Sequence, residues 1–194
     1  LMYWQVYLHK TAVACEKVLI NALNRAKFLR MTGHDIFASP SLDYFLCNNI
    51  DASHFHTSPE ALEHYSLLDD NDIWCALKVW QKSNDKILAL LSSDVINIHI
   101  FKVEVSDSPF PSDYVCQIKE QLASHFNISP DDTKHLYSID TVQKDMYDIN
   151  DDHISILYKD GTLRDIAEAS DILNISLLSR KVKKHYFCYQ KIPD

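Results

Sequence analysis

Residues Ile98–Ser106 read IHIFKVEVS, and within this stretch the chain changes its period. Apolar side chains alternate and β-branched residues are dense, the pattern of a strand half-covered on one face. Everything upstream has the spacing of helices. Leu8, Ala12, Cys15, Leu19, Ala22, Ala26 and Leu29 recur at steps of four and three, predicting one apolar stripe on a long helix. That helix should end near RMTGHD (30–35), with Gly33 as C-terminal cap and Arg30 near the negative end of the dipole. Shorter helices are predicted at SPSLDYFLCNNI (39–50), with Ser39 as cap and Pro40 in the first turn, and at SPEALEHY, DDNDIWCALKVWQKS and NDKILALLSS. Downstream, PSDYVCQIKEQLASHF returns to helical spacing. KHLYSIDTVQ and HISILYKDG read as strands, with a turn at Asp160-Gly161. LRDIAEASDIL reads as a short helix and KKHYFCYQK as a closing strand. The expected fold class is therefore α+β. An all-helical part, residues 1–97, precedes a small ferredoxin-like βαββαβ module, residues 98–194, serving regulation or assembly.

Composition narrows the function classes. The net charge of -8 over 194 residues argues against a general nucleic-acid binder, which needs a basic surface. No apolar run reaches the roughly 20 residues of a membrane span, and no signal peptide is visible. Five scattered cysteines without a C-x-x-C pair fit reduced thiols in a cytoplasmic protein. Only two glycines occur, Gly33 and Gly161, so neither a Walker loop nor G-x-G-x-x-G can be written. Any phosphate here meets side chains or a helix end.

The opening segment, LMYWQVYLHKTAVACEKVL (1–19), carries helical spacing from its first turn with no capping residue before it, which predicts that Leu1 is a cut edge. Tyr3, Tyr7, Lys10, Ala14, Lys17 and Asn21 fall within roughly 40 degrees of one line on a 3.6-residue helix. Two tyrosines and a lysine on one face suit a base or sugar edge and a phosphate. The competing reading packs the tyrosines against a neighbouring helix. His34-Asp35 is an HD dipeptide, but it falls in a loop after the long helix and lacks the further His and Asp that a metal site needs. His54-x-His56 converges only on a strand, and its surroundings are loop-like. The acidic run in LLDDNDIW (67–74) lacks the Gly and closing Glu of a calcium loop and reads as a helix start. DINDDH (148–153) reads as a solvated turn. Arg180, Lys181, Lys183 and Lys184 form a local basic group, read either as a site for an anionic effector or an acidic partner surface, or as a solvated turn with a few lysines.

Three segments carry a resemblance: MYWQVYLHKTAVACEKVL (2–19), DIFASPSLDYFL (35–46) and LLDDNDIWCALKVW (67–80). Together they resemble the C-terminal half of bacterial HD-superfamily phosphohydrolases, relatives of the dGTP and dNTP triphosphohydrolases. The resemblance implies hydrolysis of a nucleoside triphosphate by a metal-activated water in the intact protein. It places Tyr7, and by extension Tyr3, in the nucleotide pocket. It sets His9 and Lys10 near a regulatory nucleotide between subunits of a homo-oligomer. The family's metal ligands lie upstream of this helix, so no metal ligand and no catalytic residue is expected here. A divalent ion such as Mn²⁺ or Mg²⁺ is implied for the intact enzyme, and the chain alone should be inactive. The alternative is a non-catalytic effector-binding or oligomerisation module, pairing through an exposed strand edge.

Overall fold

The computed structural model describes residues 9–144, 155–165 and 182–192. Six helices come first: α1 (Lys10–Met31), α2 (Pro40–Cys47), α3 (His54–Thr57), α4 (Pro59–Leu67), α5 (Asp70–Trp80) and α6 (Lys86–Asn97). They are followed by β1 (Lys102–Ser106), α7 (Ser112–Phe126), a 3₁₀ turn (Pro130–His135), β2 (Tyr137–Lys144), β3 (Ser155–Leu157), β4 (Leu163–Asp165) and β5 (Val182–Tyr189).

Local chemistry explains the helix ends. Ser39 and Ser58 cap α2 and α4, each with proline in the first turn. Asp69 accepts from the amides of Asn71 and Asp72, while the Asp72 carboxylate accepts from the Asp69 amide, a reciprocal capping box that starts α5. Asp85 caps α6 through the Leu88 amide at 2.8 Å. Helix α1 closes on Gly33, whose φ of 87° lets its amide reach Arg30 O and the next amide, His34, reach Leu29 O. At its start, His9 is extended and its ring Nδ1 accepts from the Thr11 amide, capping α1 at Lys10; the opening turns expected over residues 1–8 lie outside the described residues.

Two compact units divide the chain. One comprises Leu1–Glu104, Pro111–Ile139 and Phe187–Asp194; the other comprises Val105–Phe110 and Asp140–Tyr186. The division does not follow the change of period at Ile98, because α7 and the end of β5 belong with the helices. In the first unit α1 packs on α6, α2 and the 3₁₀ turn, and α5 packs on α6. Val18, Ala22, Ala26, Leu77, Trp80, Leu88, Leu91, Phe101, Leu122, Leu136 and Phe187 are its buried apolar centre. The second unit contains the β3–β4 hairpin, in antiparallel register Ser155↔Asp165 and Leu157↔Leu163. It also contains the Thr141–His185 hydrogen bond of 2.8 Å and the Lys184–Asp107 ion pair.

The α+β class stands, but the described strands do not make the single four-stranded sheet of a ferredoxin-like module. They form a three-stranded sheet in the order β1-β5-β2 and a separate β3-β4 pair, with the closing strand in the middle rather than at an edge. Leu163–Asp165, expected to open a helix, is strand β4. The turn at Asp160-Gly161, with Gly161 at φ 86°, folds it straight back onto β3. The remainder of that expected helix, the DINDDH turn, Arg180 and Lys181 lie outside the described residues.

Candidate functional site

Of the residues assigned by resemblance, Tyr3 and Tyr7 lie outside the described residues. His9 and Lys10 are both exposed at the start of α1, where His9 serves as the helix cap. The face expected to continue from Tyr3 and Tyr7 along α1 is no open surface further on. Ala14 is fully buried, the Lys17 side chain is 17% exposed and Asn21 is buried. Ala12 and Cys15, expected in the apolar stripe, are exposed instead. The reason is polar. Asn21 donates to Tyr137 O at 3.2 Å and accepts from Ser138 Oγ at 3.3 Å, so an amide sits comfortably where hydropathy alone would refuse it.

One turn further along the same face lies the most highly charged buried group of this unit. The Arg25 guanidinium grips Asp85 with two hydrogen bonds, Nε–Oδ1 3.1 Å and Nη2–Oδ2 2.7 Å, and Asp132 with a third of 2.5 Å through Nη1. Burial would raise both carboxyl groups, but the Arg25 hydrogen bonds, with help from the Leu88 amide and Ser129, outweigh it and hold both below their ordinary range. His135 closes the group. Burial, and then the positive charges of Arg25 and Lys134, push its imidazole down to about 4. Its Nε2 is buried without a hydrogen-bond partner. Because every charge here is committed to another, the cluster pins α1, the start of α6 and the 3₁₀ turn together. It offers no free charged group, and the His135 Nε2 is left as its unpartnered nitrogen.

His34 and Asp35 do not build a metal site. His34 Nδ1 lies 3.1 Å from Thr32 Oγ1, and the Asp35 carboxylate is fully exposed, 3.8 Å from Arg30 Nη1. His54 pairs with Asp51 at 2.9 Å, and His56 stands exposed on the short α3. Among the described residues, no group of three or more His, Cys, Asp or Glu side chains is placed to hold a metal ion. These donors do not fit the divalent ion that the resemblance implies.

Two larger concave surfaces lie on the first unit among the described residues. A groove of about 770 Å³ along α7 is lined by Lys102, Tyr114, Gln117, Gln121, His125 and Lys191 among others. Glu104, which bonds to three of the lining side chains, is fully engaged. It accepts from Tyr114 at 3.0 Å, Tyr189 at 2.7 Å and Lys102 at 3.0 Å. Burial alone would raise it, yet these donors keep it below its ordinary value. The second surface is a cleft of about 560 Å³ beside the ends of α1 and α5. Sequence spacing gave no sign of either, because each gathers residues from segments far apart in the chain.

The same combination of helices and sheet is found in a solved enzyme structure. The crystal structure of a phosphohydrolase from Bacteroides thetaiotaomicron matches this chain at 52% identity and a TM-score of 0.91. The match covers 98% of this chain and 47% of that one, so the chain spans about half the length of that relative. No family model and no curated protein matches the chain.

Proposed function

We propose that this chain is the C-terminal part of a metal-dependent, HD-superfamily phosphohydrolase that hydrolyses a nucleoside or deoxynucleoside triphosphate. The observation that carries this reading is the 52% identity, across 98% of the chain, to a phosphohydrolase about twice as long. The three segments that resemble the family support it independently. In this reading the divalent ion is held by a part of the polypeptide outside this chain, upstream of α1, where the resemblance places the family's metal ligands. The first unit supplies a rigid scaffold fastened at Arg25. The N-terminal segment brings Tyr7 and Tyr3 to the nucleotide, and His9 and Lys10 face a regulatory nucleotide between subunits of a homo-oligomer in the cytoplasm.

The test compares the 194-residue chain with the whole enzyme, each given Mn²⁺ or Mg²⁺ and a panel of dNTPs. The chain alone should show no turnover. In the whole enzyme, Tyr7→Ala should lower kcat/KM without changing metal content. Turnover by the purified chain that disappears in His34→Ala would overturn the reading, and so would an unaltered kcat/KM in Tyr7→Ala for its account of the pocket.

A further inference from the structure

The cleft beside the ends of α1 and α5 has no part in the proposed function, yet its lining has a definite chemistry. Phe37 and Val79, each 45% exposed, give it an apolar wall. Lys78 and Lys82, four residues apart at the end of α5, give it a cationic edge, with His34 and Asn84 beside them. Its walls are fixed in advance. The Trp80 indole N–H donates to Phe37 O at 2.8 Å, tying the segment after α1 to α5, and Asp85 is clamped by Arg25.

Lysines at the end of a helix ordinarily serve its last carbonyls. Here those carbonyls already have donors. Leu77 O accepts from the Gln81 amide, Lys78 O from Gln81 Nε2, Val79 O from the Lys82 amide and Trp80 O from the Ser83 amide. Of the two carboxylates that line the cleft, Asp85 is taken by Arg25, while Asp35 is fully exposed, 3.8 Å from an Arg30 guanidinium that Asp43 already holds. Among the described residues, neither the Lys78 nor the Lys82 ammonium has an acidic partner. On a chain of net charge -8, two unpaired cations beside an exposed phenyl ring in a cleft of this volume call for a ligand that is both aromatic and multiply anionic.

We propose that this cleft binds a nucleoside polyphosphate, its base against Phe37 and Val79 and its phosphates against Lys78 and Lys82. This site does not rest on the phosphohydrolase reading. It is measured on the 194-residue chain without turnover, so either proposal can fail while the other stands.

Isothermal titration of the chain with ATP at low ionic strength is the direct experiment, with adenosine and inorganic tripolyphosphate as separate probes. ATP should bind saturably at one site and weaken as salt is added. Each half-ligand should bind at least tenfold more weakly than ATP. Lys78→Gln/Lys82→Gln should weaken ATP at least tenfold, and Phe37→Ser at least threefold, with thermal midpoints unchanged because these side chains are exposed. Should Phe37→Ser lower the midpoint, Val79→Glu repeats the test on the same wall, where a negative charge should abolish binding. No saturable heat with ATP, tripolyphosphate binding as tightly as ATP, or ATP binding indifferent to the double lysine variant would each overturn the proposal.

Discussion

Replacing Arg25 by alanine removes the only cation that touches Asp85 and Asp132 by hydrogen bond among the described residues. The size of the effect follows from burial. Breaking a fully buried ion pair costs about 3–5 kcal/mol, and an exposed pair is worth about 0–1 kcal/mol. The Arg25 side chain is 7% exposed, Asp85 20% and Asp132 30%, so the cation is buried while its partners keep some water. Asp85 also keeps the Leu88 amide, and Asp132 keeps the Ser129 hydroxyl. A cost of about 2–3 kcal/mol results, or a fall in Tm of about 4–12 °C for a chain of this size. Thermal unfolding followed by circular dichroism at pH 7 measures it. The pH dependence gives a second check. Both carboxyl groups titrate below their ordinary range when folded, so their stabilisation is complete above that range and is lost as pH falls through it. The gap between Arg25→Ala and wild type should therefore narrow in acid. Arg25→Lys keeps the charge without the planar fork and should recover less than half of the loss. A Tm for Arg25→Ala within 1 °C of wild type at pH 7, or a gap that widens in acid, refutes the clamp.

Three smaller perturbations test other joints of the fold. His135 protonates near 4 when folded and near its ordinary value when unfolded, so the unfolded chain takes up the proton first and stability falls between about pH 6.5 and 4. In His135→Gln the drop in urea midpoint between pH 7 and pH 5 should shrink, and an unchanged drop would remove His135 from the acid response. Asp69→Ala dismantles the capping box of α5 and should cost about 1 kcal/mol in urea unfolding. Gly33→Ala meets no atom within 4 Å but must hold φ near +87°, so a loss of about 1–2 kcal/mol there is purely conformational. A neutral result would mean that the end of α1 relaxes.

The helix ends were legible because each is decided by residues a few positions apart: Ser39 before Pro40, Asp69 with Asp72, Gly33 after the last turn of α1. The change of period at Ile98 was legible for the same reason. Strand order was not, since β1, β5 and β2 are joined by pairings whose partners lie far apart in sequence. Strand β3 falls within HISILYKDG and was legible, but the three-residue β4 is too short to show a period, so LRD reads with the helix pattern that follows it in the sequence. The cleft was hidden more thoroughly. Phe37 sits in a loop and Lys78 and Lys82 on a helix end, and only the folded arrangement reveals that the helix carbonyls do not need those lysines.

The rotation of α1 is the most instructive miss, and it can be tested. Hydropathy alone chose Ala12, Cys15 and Leu19 because they join smoothly to Ala22, Ala26 and Leu29. The buried face instead runs through Val13, Ala14, Val18, Asn21 and Arg25 to the same end. The two faces differ by about one residue, or about 100 degrees, in the first half of the helix. Polar Asn21 and Arg25 made the true face look wet. Asn21→Leu would complete the apolar pattern there, and if hydropathy governed this face it should stabilise the protein. We expect the reverse. Leucine leaves Tyr137 O without the amide donor and Ser138 Oγ without its acceptor at a part-buried contact, a penalty of about 1–3 kcal/mol for the unmet groups. Added apolar burial offsets some of this, leaving a net loss of about 1–2 kcal/mol, seen as a Tm lower by about 2–8 °C. A Tm equal to or above wild type would show that the Asn21 hydrogen bonds contribute nothing, and that the register of α1 is set by its small apolar residues alone.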